Sequence, residues 1–129
     1  MRPPLYRSNV VAGVRINERQ SGRMAVLDLV GDITFGEGTA VLRRETRRLI
    51  AAGRADILLN LAGVRYVDSS GLGEMVAALL AARRAGGKVA LLSLPPKVRE
   101  VFEMTRLVQV FDIYADEPGA LRGVTAGRD

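Results

Sequence analysis

A short stretch of hydroxyl and glycine residues holds the most distinctive chemistry of this chain. Residues 68–73 read Asp-Ser-Ser-Gly-Leu-Gly and lie between an apolar run of strand length and an apolar run of helix length. Backbone N–H groups at a helix start have no partner inside the helix and therefore suit an anion. The stretch is a candidate site for an anion that is either bound or covalently attached to Ser69 or Ser70.

The composition excludes most of the catalytic chemistry that a serine performs. The 129 residues include no His and no Cys, so Ser-His-Asp and Cys-His nucleophiles are impossible and zinc loses two of its main ligand types. Gly86-Gly87-Lys88 lacks the spacer and the hydroxyl of a phosphate-binding P-loop. We therefore expect no enzymatic activity, no cofactor and no metal site.

Length and charge indicate one soluble domain. A chain of 129 residues can bury an ordinary core. The N-terminus lacks the apolar segment of a secretory signal, and no apolar run approaches the roughly 18 residues that span a membrane. We expect a cytoplasmic protein without membrane insertion. The net charge of +5, with only three Tyr and three Phe, is weak evidence for nucleic acid, and we expect no direct binding to it.

The apolar pattern predicts an α/β fold that places the serine motif between a central strand and a helix. In chain order, the predicted elements are strands at 14–19 and 24–30, a helix at 36–52, a strand at 55–61, a connection at 63–66, a helix at 70–84, a strand at 88–93, a helix from Pro95-Pro96, a strand at 108–114 and a short helix at about 116–124. This order implies a mixed sheet of four or five strands with about four helices.

The motif also has an ordinary structural explanation, because Asp, Ser and Gly are favoured where a helix begins. Two details favour a functional site. A cap needs one hydroxyl, and the motif has two. Gly71 and Gly73 lie inside the first turn, where each costs up to about 1 kcal/mol relative to Ala.

A third detail is the surface of the helix that follows the motif. The residues predicted to face inward are Leu72, Met75, Val76, Leu79 and Leu80. The opposite face continues from Gly73 with Glu74, Ala77, Ala78 and Ala81. Because small side chains let another backbone approach closely, we predict that this alanine face is a docking surface.

The helix at 36–52 has a basic polar face. Arg43, Arg44, Arg47 and Arg48 fall opposite its apolar residues. A solvated outer face explains them better than a dedicated binding patch.

Several segments together resemble STAS-domain anti-sigma factor antagonists. The signature is Val67-Asp68-Ser69-Ser70-Gly71-Leu72-Gly73, and Gly31-Asp32-Ile33-Thr34 resembles the early Gly-acidic-aliphatic turn of the family. Similar order and spacing continue through Leu58–Leu61, Ala85–Gly87 and Val101–Leu107. The resemblance spans roughly residues 13–120, which indicates a STAS domain at 10–124 between flexible ends at 1–9 and 125–129.

The resemblance implies a bacterial partner-switching protein whose phosphorylated serine is Ser69. It implies an anti-sigma factor that acts as an ATP-using serine kinase, and a metal-dependent serine phosphatase that reverses the modification. Asp68, Ser70, Gly71, Leu72 and Gly73 would form the acceptor loop. The partner-binding surface would consist of Asp32, Thr34, Glu74, Ala77, Ala78 and Ala81. Thr34 stands where the family often has Asp, which bears on the pairing with a particular kinase.

Two alternatives from other classes remain. The first is a STAS-like scaffold without phosphorylation in a membrane-associated transport or lipid-handling complex, whose Arg43–Arg48 face would meet anionic surfaces. The second, less favoured, is nucleic-acid binding, which would depend strongly on salt.

Overall fold

The computed structural model describes residues 6–11 and 13–126. The strands are β1 (Tyr6–Val11), β2 (Val14–Ser21), β3 (Met24–Ile33), β4 (Asp56–Val67), β5 (Lys88–Leu92) and β6 (Asp112–Tyr114). The helices are α1 (Glu37–Ala51), α2 (Ser69–Arg84), α3 (Pro96–Met104) and α4 (Glu117–Ala126), and a 3-10 turn lies at Leu107–Gln109. The α/β class and the four predicted helices are confirmed.

One mixed sheet has its six strands in chain order. β1, β2 and β3 pair antiparallel, whereas β3, β4, β5 and β6 pair parallel through helical crossovers. The carboxyl ends of β3 and β4 therefore lie side by side, with Ile33 opposite Val67. This register brings the early glycine turn to the start of α2.

The sheet has one strand more than predicted, because residues 6–11 form β1. The sequence predicts residues 6–9 as part of a flexible N-terminal segment, because the first nine residues are rich in Pro, Arg and small polar residues. Their order comes instead from pairing with β2, in which Tyr6 lies opposite Arg19. Residues 125 and 126, also predicted to be flexible, are instead the last residues of α4. Residues 1–5 and 127–129 lie outside the described residues.

Two other boundaries differ from the prediction. Residues 63–66 are not a connection but the end of β4, which stays paired with β3 through two register shifts. The strand predicted at 108–114 is a 3-10 turn followed by the short β6. In both places the neighbouring strand, rather than the local residue pattern, decides how long a strand is.

The two faces of the sheet are covered unequally. α1, α2 and α3 pack on one face around a large core that includes Leu42, Met75 and Phe102. α4 covers a smaller cluster on the other face through Ala120 and Val124. Residues 57–59 of β4 are fully buried, which confirms the predicted central strand, since a strand covered on both faces is buried along its length.

An ion-pair network holds α4 to its face of the sheet. The Arg19 guanidinium donates to Asp28 at 2.6 Å and to Glu117, the first residue of α4, at 2.7 Å. Hydrogen bonding from Arg19 lowers the pKa of Glu117, and Ser21 also donates to that carboxylate at 2.8 Å. These contacts fix the helix at the amino-terminal end of the parallel strands, away from the serine motif.

Candidate functional site

The serine motif lies at the junction of β4 and α2. α2 begins at Ser69, one residue earlier than predicted, because Asp68 is its N-cap. The Gly71 N–H donates to Asp68 Oδ1 at 2.8 Å, which satisfies one of the helix-start donors in the way capping residues do. Ser69 is thereby the first helical residue, and its side chain is exposed.

The second oxygen of Asp68 binds a different segment of the chain. The Phe35 N–H donates to Asp68 Oδ2 at 2.9 Å, and the Asp68 N–H donates to the Ile33 carbonyl at 3.4 Å. Burial acts to raise the pKa of Asp68, but backbone hydrogen bonds, from Phe35 and Gly71 above all, outweigh it and keep that pKa below its ordinary value. One ionised side chain therefore caps α2 and holds the loop after β3 against it.

The two glycines of the predicted acceptor loop have different roles. Gly71 is buried, and a Cβ there would collide with the Ile33 carbonyl oxygen and lie 2.9 Å from a methyl group of Val67. Gly73 is exposed, and a Cβ there would meet nothing within 4 Å. Gly71 is thus required for close packing of α2 on β3, whereas Gly73 leaves the surface smooth.

The remaining motif residues divide between surface and core. Ser70 is half-buried, and Leu72 is buried in the main core. Of the two hydroxyl groups that the sequence left as candidates, the one on Ser69 is the more accessible.

The predicted docking face of α2 is wrong in part. Glu74 and Ala78 are buried, while Ala77 and Ala81 are half-buried. Leu80, predicted to face inward, is 45% exposed. The reason is that α2 packs against α1 as well as against the sheet, and Arg43 of α1 donates to Glu74.

An exposed, mostly apolar surface nevertheless adjoins the serine. Gly73, Ala77 and Leu80 follow Ser69 along one side of α2, and Phe35 lies in the loop that Asp68 holds. Phe35 is 83% exposed, an unusual position for a phenyl ring. We call Phe35, Ser69, Gly73, Ala77 and Leu80 the Ser69 surface. Phe35 was not among the site residues predicted from the sequence, although a large aromatic residue within a glycine-rich turn was a signal for it.

Asp32 and Thr34 lie at the same edge of the sheet. Asp32 pairs with Tyr66 in the β3–β4 register, and its carboxylate accepts from Arg65 at 3.1 Å. The Thr34 carbonyl accepts from the Thr39 N–H at 3.1 Å, at the start of α1. The structure therefore gathers these two predicted residues around the strand ends that also carry Asp68.

A surface cavity of about 280 Å³ lies beside this edge, between the end of β4 and α3. Its lining consists of Arg65, Tyr66, Val67, Lys97, Val98, Glu100 and Val101. In the described part of the chain, no three acidic side chains come together to hold a metal ion. No helix of residues 6–11 and 13–126 has the length and apolar character needed to cross a membrane.

Some arginines on the polar face of α1 form ion pairs with other residues of the domain. Arg43 donates to Glu74 of α2 at 2.9 Å. Arg48 contacts Glu45 at 2.9 Å and also binds Glu18 of β2. Arg44 also lies 4.0 Å from a carboxylate oxygen of Glu45. Three of the four arginines thus form ion pairs within the fold, which reduces the free positive charge that the scaffold alternative relied on.

Replacing Asp68 by Ala is expected to lower the free energy of unfolding by about 1–2 kcal/mol, because α2 loses its cap and the Phe35 loop loses its tie. The difference from wild type should be complete above the ordinary carboxyl pKa of 3.8 and shrink as the pH falls through the lower pKa of the folded protein. Chemical denaturation between pH 2.5 and 7 measures it.

Asp116 provides the matched control. Its Oδ1 accepts from the Gly119 N–H at 2.8 Å at the start of α4, so Asp116→Ala removes a comparable cap. We expect a smaller loss than for Asp68→Ala. Equal losses, or a difference between wild type and Asp68→Ala that widens in acid, would contradict the double role of Asp68.

Comparison with known proteins covers almost the whole domain. Residues 15–120 match the family model of the STAS domain. The chain is 28% identical over 109 residues to the anti-sigma-B factor antagonist of Bacillus subtilis, an alignment that covers 84% of this chain and 98% of that protein.

Solved structures share the fold. A Thermotoga maritima protein assigned as an anti-sigma factor antagonist superposes with a TM-score of 0.78 at 25% identity, over 84% of this chain and 92% of that one. The Bacillus cell fate determinant SpoIIAA in its phosphorylated form superposes with a TM-score of 0.62 at 22% identity, over 92% and 98% of the two chains.

Proposed function

This chain belongs to the STAS domain family, and from that premise we propose that it is an anti-sigma factor antagonist switched by phosphorylation of Ser69. Unphosphorylated, it binds an anti-sigma factor and releases the sigma factor; phosphorylated, it does not bind. The observation that carries this proposal is the position of Ser69, an exposed hydroxyl at the first residue of α2 beside an apolar surface. The similarity to the B. subtilis antagonist supports it.

The partners follow from the same proposal. The anti-sigma factor is itself the ATP-using kinase that modifies Ser69, and a metal-dependent phosphatase restores the free hydroxyl. All three act in the cytoplasm. The chain contributes the acceptor and no catalytic group of its own.

The domain can carry a phosphate at Ser69 without unfolding. A phosphate adds about −1.5 to −2 charges, and the N-terminus of a helix favours negative charge by roughly 0.3–1 kcal/mol. The neighbouring Asp68 carboxylate offsets part of that benefit. Ser69 is exposed, so solvent can hydrate the new group, and we expect the modified domain to keep its fold.

The phosphate is expected to act by weakening the binding of the partner. Phe35, Gly73, Ala77 and Leu80 present little charge around Ser69, which suits a partner that docks on an apolar surface and meets a neutral hydroxyl. A dianion at that place would be taken out of water without a cation to pair with it. The switch therefore acts through the interface rather than through the stability of the domain.

Incubation with a cognate anti-sigma kinase and ATP tests the acceptor. We expect one phosphate per chain, located on Ser69 by peptide mass spectrometry, and no phosphate in Ser69→Ala. Ser70→Ala is the matched control and should be labelled like wild type. Label on Ser70 alone, or full labelling of Ser69→Ala, would overturn the assignment.

The scaffold alternative receives less support from the site. It requires no accessible serine, and its basic face has lost Arg43 and Arg48 to contacts with Glu74 and Glu18. A pull-down that recovers transporter subunits rather than an ATP-binding kinase would favour it.

A further inference from the structure

Glu74 lies one helical turn after Ser69 and Ser70. Because its side chain is buried, contact with a partner does not account for a charged residue at this position. On the basis of the proposed function, we propose that Glu74 excludes negative charge from Ser70 and so confines phosphorylation to Ser69. Glu74 would then decide which of two adjacent hydroxyl groups can act as the acceptor.

Only one of the two oxygen atoms of the Glu74 carboxylate has a hydrogen-bond partner within the described residues. Its side chain is 3% exposed. Oε1 accepts from Arg43 Nε at 2.9 Å, while Oε2 is buried and has no hydrogen-bond partner within the described residues. A buried carboxylate with a single cationic partner has little capacity to tolerate a second negative charge nearby.

Helix geometry makes the two serines unequal with respect to this carboxylate. Ser70 precedes Glu74 by four residues, so their Cβ atoms lie on the same face of α2, about 5–6 Å apart. Ser69 precedes it by five residues, which places it roughly 140° around the helix axis. A phosphate on Ser70 would face Glu74, whereas a phosphate on Ser69 points to solvent.

Arg43 does not rescue a phosphate on Ser70. Its side chain is 67% exposed, and it is the cation that pairs with Glu74. A phosphate that recruited Arg43 would leave the Glu74 carboxylate buried without its partner, which is strongly unfavourable. A phosphate on Ser70 would therefore either repel the Glu74 carboxylate or take Arg43 away from its ion pair with Glu74.

A stability cycle tests the charge coupling without any kinase. We expect Ser70→Asp to raise the unfolding equilibrium constant about tenfold more than Ser69→Asp. In the Glu74→Gln background, which keeps the size of the side chain and removes its charge, this difference should disappear. Glu103→Gln, an exposed change on α3, is the control and should leave the difference intact. An unchanged difference in Glu74→Gln would overturn the proposal.

Site mapping with the kinase tests its consequence for the switch. In Ser69→Ala we expect label on Ser70 no higher than the background without kinase, and in Ser69→Ala/Glu74→Gln we expect label on Ser70 at ten times that background or more. If wild type is labelled on Ser69 but the double variant stays unlabelled, the role of Glu74 is overturned and the proposed function stands. If the wild-type chain accepts no phosphate on Ser69, the proposed function itself fails.

Discussion

Phosphorylation of Ser69 is expected to weaken binding to the anti-sigma partner by about a hundredfold to several-thousandfold. This range corresponds to the roughly 3–5 kcal/mol lost when a charge is buried without a partner. The physical reason is the composition of the Ser69 surface, in which Phe35, Gly73, Ala77 and Leu80 supply no cation. Isothermal titration calorimetry on the phosphorylated and unphosphorylated proteins measures the change.

Two variants separate charge from the loss of the hydroxyl. Ser69→Ala should bind within a few-fold of wild type, because the surface stays neutral, and Ser69→Asp should reproduce most of the loss. Thermal melts should show all of these forms folded, since Ser69 is exposed. Full-strength binding by the phosphorylated protein would show that the interface lies elsewhere.

Gly71→Ala is expected to lower the free energy of unfolding by about 2 kcal/mol or more, whereas Gly73→Ala should raise it by up to about 1 kcal/mol. A Cβ at residue 71 would collide with the Ile33 carbonyl, a backbone atom that cannot rotate away. A Cβ at residue 73 meets open space and removes the conformational freedom of a helical glycine. The two variants make the same chemical change two residues apart.

Chemical denaturation of wild type and of the two glycine variants measures the differences in their free energies of unfolding. Equal destabilisation of both would mean that helix propensity, rather than contact with β3, governs the motif. Binding to the partner supplies a second readout, because Gly73→Ala adds a methyl group to the Ser69 surface while the fold remains intact. A loss of affinity in that variant would place Gly73 in the interface.

Local chemistry was sufficient to predict the start of α2 to within one residue. The Asp68 side chain accepts a hydrogen bond from the N–H of Gly71, three residues later, and Gly71 is also the glycine that close packing on β3 requires. The apolar run at 55–61 likewise predicted a central strand, because a strand covered on both faces must be apolar on both. These signals lie within a few residues of the element that they specify.

Features set by distant partners could not be predicted in the same way. The polar residues of β1 form a strand because β2 lies beside them. The burial of Glu74 and Ala78 depends on where α1 sits against α2, which the helical wheel of α2 alone does not contain. The place of Phe35 beside the acceptor depends on a hydrogen bond to Asp68, which is 33 positions away.

The contacts of Asp68 also determine what kind of substrate the chain is. The acceptor serine, its cap and the exposed phenyl ring come from two segments that are joined only in the folded domain, through the N–H groups of Gly71 and Phe35. A synthetic peptide spanning residues 62–76 would present every letter of the motif but neither the Phe35 loop nor the packed helix start. An enzyme that recognises this surface therefore recognises tertiary structure. It would not modify unfolded or partly synthesised chains that carry the same serine.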